Sequence, residues 1–139
     1  MDLLKILPHK YPLLLIDKVE LVEPLKFCRV LKNLSYNEWF FNAHFPDNPI
    51  MPGSILLECF SQVALIPLLV GLEKSNSNKS YIPSLVAIDN VRFIKNINPG
   101  DILIIESNVV SNQMGFVISK VIGYIGDEII SSCKLTYKF

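Results

Sequence analysis

The feature that most constrains the fold is a long apolar segment near the middle of the chain. Residues 53–72 are apolar on nearly every face of a helix, so this helix would have no polar side to present to water. Pro52 suits the first helical turn, which does not use the missing N–H, and Gly71 can end the helix. Pro67 should weaken or kink it, because proline removes one backbone hydrogen bond. The segment therefore predicts a helix that is buried on almost all sides.

The same segment is too interrupted by polar residues to predict a membrane span. A spanning helix needs about 20 predominantly apolar residues, whereas Glu58, Ser61 and Gln62 interrupt residues 55–72. The N-terminus has no apolar run of the length of a secretory signal. The three cysteines are widely spaced and form no Cys-x-x-Cys pair, which is typical of reduced thiols in a cytoplasm. We therefore expect a cytoplasmic protein without membrane insertion.

Length and composition limit the number of domains and exclude one class of partner. The chain has 139 residues, half of them apolar, and it carries 13 Lys plus Arg against 13 Asp plus Glu. This length predicts a single domain over residues 1–139, and the apolar content is sufficient to offset the entropy lost on ordering it. A net charge of zero provides no general field that would neutralise phosphates. Nucleic acid is therefore not an expected main partner.

The rest of the chain shows the alternation of apolar and polar residues that is typical of strands. The candidate strands are residues 13–21, 27–34, 86–93, 102–110, 115–125 and 128–139. In the last of these, the alternation places Ile129 on the same face as Cys133 and Leu135. These elements predict an α+β fold, in which a curved antiparallel sheet of about six strands wraps a long central helix.

The segment that carries chemistry leads into the predicted helix. It reads His-Phe-Pro-Asp-Asn-Pro-Ile-Met-Pro-Gly from His44 to Gly53, and its three prolines should stiffen the loop. Free N–H groups at the helix start can bind an anion or a polarised carbonyl. Glu58 follows among apolar residues, where burial should raise the pKa of a carboxyl and suit a general acid. Together these groups make a candidate proton-transfer site beside a carbonyl.

This pattern resembles a known family. The spacing H-F-P-x-x-P-x-M-P-G-x-x-x-x-E-x-x-x-Q, from His44 to Gln62, is similar to the signature of the 3-hydroxyacyl-[acyl-carrier-protein] dehydratases of the FabZ type. Residues 6–17, 91–93 and 99–101 support the likeness, which runs from near residue 3 to the C-terminus. The resemblance implies the hot-dog fold, a helix wrapped by an antiparallel sheet, with two such sheets joined in a dimer.

The resemblance implies a role for each matching residue. His44 would remove the C2 proton of a (3R)-3-hydroxyacyl thioester, and Glu58 would protonate the leaving C3 hydroxyl to give the trans-2-enoyl product. The Gly53 amide would bind the thioester carbonyl. No metal or organic cofactor is implied, and the partner is the acyl carrier protein of fatty acid or related lipid biosynthesis. The family shares its active sites between the subunits of a homodimer, often assembled into a trimer of dimers.

Other polar residues have two interpretations each. Gln62 lies one turn after Glu58 on the same helix face, where it either supports the carboxyl or packs in the core. Arg92 and Lys95 are either solvated charges at a sheet edge or cations that steer an acidic carrier protein to the site. His9 is interpreted as ordering the N-terminal turn, because no carboxyl follows it at a motif spacing.

Departures from the family pattern keep two other functions open. Ala43 and Asp47 stand where glycine is common, and Ser54 stands where an aliphatic residue is frequent. These differences leave room for an acyl-binding or scaffold subunit that partners a related dehydratase. A hot-dog thioesterase is the other alternative, although it needs a site for attacking water, whereas His44 and Glu58 match an elimination. Glutamate at position 58 also separates the chain from the related dehydratase/isomerases, which carry aspartate there.

Overall fold

The computed structural model describes residues 2–75 and 81–139, and its largest element is the predicted apolar helix. The helices are α1 (Leu3–Ile6), α2 (Trp39–Ala43) and α3 (Gly53–Lys74). The strands are β1 (Lys18–Glu23), β2 (Phe27–Asn33), β3 (Ser84–Phe93), β4 (Ile102–Gln113), β5 (Phe116–Ile125) and β6 (Glu128–Lys138). Each predicted strand overlaps an observed one, whereas α1 and α2 are too short to leave a periodic pattern in the sequence.

All six strands form one antiparallel sheet in the order β1-β2-β4-β5-β6-β3. Helix α3 lies between β2 and β3 in the chain and packs against β1, β2, β4 and β5. Thirteen of its 22 residues are buried, which follows from its lack of a polar face. A long helix against a single six-stranded antiparallel sheet confirms the predicted α+β hot-dog fold.

Helix α3 forms the core of the protein. By length and composition it could cross a membrane, but 72% of its most apolar window is buried inside the protein. It extends to Lys74, beyond Gly71, which was predicted to end it. Gly71 instead makes room for Leu25, whose Cγ lies 2.5 Å from the position that a Cβ would take. Pro67 lies within the helix without ending it, and its carbonyl accepts a hydrogen bond from the Leu25 amide.

Strand β1 begins at Lys18, later than predicted, because the residues before it bind the helix. The Leu15 amide donates to the side chain of Gln62 at 3.0 Å and not to a neighbouring strand. Leu15 and Ile16 are buried in the core. These two residues are therefore apolar because their segment packs on α3. The sequence pattern does not distinguish such a segment from a strand.

The predicted faces of β6 are wrong at the start of the strand. Ile129 was predicted to point inward but is 45% exposed, whereas Ile130 is 1% exposed. Strand β5 pairs Gly123 with Ser131 and Tyr124 with Ile129, so Ile130 is an extra residue at this step. A bulge of this kind interrupts the alternation of side chains between the two faces of a strand.

A buried cation on the inner face of β2 links the core to the segment before His44. The side chain of Lys32 is 5% exposed, and it forms ion pairs with Asp17 at 3.5 Å and with Glu38. Glu38 is the N-cap residue of α2, and His44 caps the other end of that helix. The ion pairs of Lys32 therefore hold α2 against the sheet.

Replacing Lys32 with alanine should lower the free energy of unfolding by about 3–5 kcal/mol, because breaking a buried pair leaves the remaining charge uncompensated. The carboxylate left behind is that of Glu38, whose side chain is only 20% exposed. Urea unfolding followed by circular dichroism measures the change. Lys18→Ala on the exposed side of β1 is the matched control and should change stability by less than about 0.5 kcal/mol. Equal losses in the two variants would contradict the prediction.

Candidate active site

His44 follows α2 directly and has one ring nitrogen bound to the backbone. It is the C-cap residue of α2, and its amide donates to the Phe40 carbonyl at 2.9 Å. Its Nδ1 lies 3.1 Å from the carbonyl oxygen of Ile50. Because a carbonyl oxygen only accepts hydrogen bonds, this contact assigns a proton to Nδ1, so that in the neutral ring the lone pair is on Nε2. A neutral Nε2 is the atom that a general base requires.

The proline-containing loop holds the imidazole in one orientation. Ile50 contacts His44 twice, since its amide also donates to the His44 carbonyl at 2.9 Å. The ring of Phe45 stacks on the imidazole, with the ring centroids 4.1 Å apart. Phe45 and Asn48 exchange backbone hydrogen bonds of 3.0 Å. His44 is therefore restrained from both ends of the loop while it stays half-buried.

The loop ends at the start of α3, where the first amides have no side-chain cap. Pro52 is the N-cap residue, and it offers no side-chain oxygen to the first helical turn. A Cβ on Gly53 would lie 2.9 Å from the ring of Phe93, so only glycine lets that ring approach so closely. The Gly53 amide lies at the positive end of the helix dipole and is suited to bind a carbonyl oxygen.

Glu58 lies just over one turn into α3, with its side chain 31% exposed. Its Oε1 accepts a hydrogen bond from Gln62 Nε2 at 2.9 Å. Nε2 of His9 lies 3.5 Å from the same oxygen. Although Glu58 lies among apolar residues in the sequence, two nitrogen atoms are near one of its oxygens in the fold.

Gln62 connects the carboxyl to the N-terminal segment. Its side chain is fully buried, and its Nε2 also donates to the Leu13 carbonyl at 2.7 Å. Its Oε1 accepts from the Leu15 amide at 3.0 Å. Rotating the amide would leave several buried polar groups unpaired, which is costly. Gln62 is thus a fixed donor to Glu58, on the helix face that the spacing predicts.

His9 lies near the site, a position that its place in the sequence did not predict. It was interpreted as ordering the N-terminal turn, but it approaches Glu58, which is distant in the chain. The neighbouring Lys10 makes the local contact instead, since its Nζ donates to the Leu4 carbonyl at 2.7 Å. The signal that could have found His9 is its place in residues 6–17, which carry part of the family resemblance.

The side chains of His44 and Glu58 do not touch each other within one chain. Over residues 2–75 and 81–139, no hydrogen bond or ion pair joins them. His44 is bound to its own loop, and Glu58 is bound to Gln62 and faces His9. Within a single chain the imidazole of His44 and the carboxyl of Glu58 are therefore not paired.

The two candidate docking cations differ in their surroundings. Lys95 forms an exposed ion pair with Glu128, so its charge is already partly balanced. Arg92 is exposed on β3 and has no acidic partner in the part of the chain that the structure describes. It lines one depression together with Lys120 and Lys134, which are paired across β5 and β6. These two lysines could not be predicted from the sequence, because only strand pairing brings them beside Arg92.

Other reactive groups do not add to the site. Cys59, next to Glu58, is fully buried, and burial raises the pKa of its thiol to about 12. A thiol with such a pKa stays protonated at neutral pH and is not a nucleophile. Among the described residues, no three His, Cys, Asp or Glu side chains form a group that could hold a metal. The arrangement offers an imidazole, a carboxyl and a free helix amide, which are groups that can transfer protons next to a carbonyl.

The chain matches one protein family and is similar to several known proteins. The FabA-like domain family matches residues 7–134. Over 136 residues the chain is 40% identical to "3-hydroxyacyl-[acyl-carrier-protein] dehydratase FabZ" of Caldanaerobacter subterraneus subsp. tengcongensis, covering 98% of this chain and 94% of that protein. A protein of the same name from Thermoanaerobacter sp. is 41% identical over 133 residues, covering 96% and 91%. The solved dehydratase heterocomplex ApeI:P from Xenorhabdus doucetiae has the same fold, with a TM-score of 0.80 at 19% identity, over 100% of this chain and 91% of that one.

Proposed function

The chain belongs to the FabA-like family and, within it, to the FabZ-type dehydratases, and from this membership we propose its reaction. It removes water from (3R)-3-hydroxyacyl-[acyl-carrier-protein] and forms trans-2-enoyl-[acyl-carrier-protein], as a lyase of fatty acid biosynthesis. The observation that carries the proposal is the contact between His44 Nδ1 and the Ile50 carbonyl. In the neutral imidazole it places the proton on Nδ1 and directs the lone pair to Nε2, which is the tautomer in which Nε2 can act as a base.

His44 begins the reaction. Its Nε2 takes the proton from C2 of the thioester, and the electron pair of the broken C–H bond moves toward the carbonyl. The Gly53 amide donates to the carbonyl oxygen as negative charge develops there. A positioned base contributes on the order of 10²–10⁴-fold to the rate, and one such amide contributes on the order of 10²–10³-fold.

Glu58 completes the elimination. Its carboxylic acid gives a proton to the C3 hydroxyl as the C3–O bond breaks, and the C2–C3 double bond forms as water leaves. Glu58 is then a carboxylate and His44 an imidazolium, so the return of one proton through solvent restores the site. The substrate is neither oxidised nor reduced, and the protons balance without a cofactor.

Each site combines the His44 of one subunit with the Glu58 of another in a homodimer. The absence of contact between the two side chains within the described chain supports this arrangement.

The edge strand β3 also supports a homodimer, because its apolar side chains are exposed. Five of them are between 37% and 55% exposed: Leu85, Val86, Ile88, Val91 and Phe93. An edge strand with this surface is suited to pair with a second copy. Further assembly into a trimer of dimers is expected from the family.

The acyl carrier protein is the macromolecular partner, and Arg92 is better placed than Lys95 to contact it. An exposed cation without an acidic neighbour can steer an acidic protein, whereas Lys95 is paired with Glu128. Lys120 and Lys134 extend the basic surface around Arg92. The reaction takes place in the cytoplasm, where the three buried cysteines stay as free thiols.

The purified protein should convert carrier-bound 3-hydroxyacyl thioesters to enoyl thioesters, because the site holds a base and an acid for elimination. Enoyl absorbance and a free-thiol assay are followed together on 3-hydroxyacyl and saturated acyl substrates. Absorbance should rise without release of thiol. Thiol release from both substrates without enoyl product would identify a thioesterase instead. The absence of both activities would identify a scaffold or acyl-binding subunit.

A further inference from the structure

His9 lies beside the proposed acid and has no part in the mechanism above. Its side chain is 22% exposed, and its Nε2 is 3.5 Å from Glu58 Oε1. Its Nδ1 is buried and has no hydrogen-bond partner among the described residues. The adjacent Lys10 points elsewhere, with its Nζ on the Leu4 carbonyl. The polar contact of His9 is therefore with Glu58 and not with its own turn.

The surroundings of His9 favour a ring proton on Nε2. A proton on the buried Nδ1 would be a donor without an acceptor, which costs free energy. With the proton on Nε2, the nitrogen that lies 3.5 Å from Glu58 Oε1 is a donor.

Two nitrogen atoms then lie near the same oxygen of Glu58. Gln62 Nε2 donates to Oε1 at 2.9 Å, and Nε2 of His9, from the N-terminal segment, lies 3.5 Å from Oε1. An oxygen that accepts from an N–H group acts as the carbonyl oxygen of a carboxylic acid and does not carry the acidic hydrogen. In protonated Glu58 the hydrogen therefore lies on Oε2.

We propose that His9 is a positioning residue for Glu58. Together with Gln62 it holds Oε1, so that Oε2 carries the proton and delivers it to the leaving hydroxyl. The inference rests on the proposed dehydration. A separation of 3.5 Å is long for a hydrogen bond, but donors approach more closely as the carboxyl loses its proton, because a carboxylate is the stronger acceptor.

Replacing His9 with phenylalanine should lower kcat about 10–100-fold with little change in KM, because a donor to a developing carboxylate is lost. His9→Gln should restore most of the rate, since its amide nitrogen can take the place of Nε2. Lys10→Met is the matched control, because it removes a contact of the same turn that does not involve Glu58. It should keep the wild-type kcat, and thermal unfolding shows whether each variant is folded.

A double-variant cycle with Glu58 tests whether His9 acts through the carboxyl. The dehydration rate of the slow Glu58→Gln protein is measured in single turnovers with excess enzyme. Adding His9→Phe to this protein should not lower its rate further. If His9→Phe lowered the rate by the same factor in the wild-type and Glu58→Gln proteins, the proposal would be overturned. A wild-type kcat in His9→Phe would also overturn it. If His9→Phe does not fold, His9→Asn replaces it, because the shorter amide does not reach Oε1. A wild-type protein without dehydratase activity would refute the proposed function itself, which is a separate outcome.

Discussion

Replacing His44 with asparagine should lower kcat for dehydration about 10²–10⁴-fold, the contribution of a positioned base. The asparagine amide can still donate to the Ile50 carbonyl, as Nδ1 does now. It has no nitrogen lone pair at the position of Nε2, so the base is lost while the loop keeps its contact. Enoyl absorbance at saturating substrate measures the change.

The matched control for this variant is Asp47→Asn in the same loop. Asp47 is exposed, and this change removes a charge without touching the His44 contacts. The control should keep the wild-type kcat, and both variants should keep the wild-type melting temperature. If His44→Asn were as active as Asp47→Asn, His44 would not be the base.

Combining two inactive variants in one dimer should restore activity if each site is shared between subunits. His44→Asn lacks the base, and Glu58→Gln lacks the acidic proton while keeping an oxygen for Gln62 to bind. In a mixed dimer, one site has both substitutions and the other has neither. Since half of the dimers formed from equal amounts are mixed, about a quarter of the wild-type activity should return.

The control for this experiment mixes His44→Asn with the double variant that carries both substitutions. Every site in that mixture lacks the base, so no activity should return. Coexpression with two different tags allows mixed dimers to be purified and assayed alone. If the first mixture also stayed inactive, the acid and the base would come from the same chain, and the shared site would be refuted.

Parts of the fold and site that depend on neighbouring residues could be predicted from the sequence. The α3 segment has no polar face, and such a helix is stable in water only when other elements cover it. His44, Gly53 and Glu58 lie within one short stretch, where a stiff loop leads into a helix. Their order along the chain was therefore enough to predict that a histidine, a free amide and a carboxyl belong to one candidate site.

Contacts between distant segments could not be predicted in this way. The bulge at Ile130 follows from how β5 and β6 pair, and it reversed the predicted position of Ile129. The ion pair of Lys32, on β2, with Asp17, just before β1, likewise joins segments that are distant in the chain. Neither contact leaves a periodic pattern or a characteristic spacing in the sequence, because both depend on which strands become neighbours.

The sequence alone determined that this chain buries a long helix and carries a histidine, a free amide and a carboxyl around the start of that helix. It did so because backbone periodicity and proline stiffness act over a few residues. Only the tertiary structure decided which nitrogen of His44 is free and which side chains hold Glu58. Those properties depend on contacts that exist only in the folded chain, such as that of His9 in the N-terminal segment with Glu58 on α3.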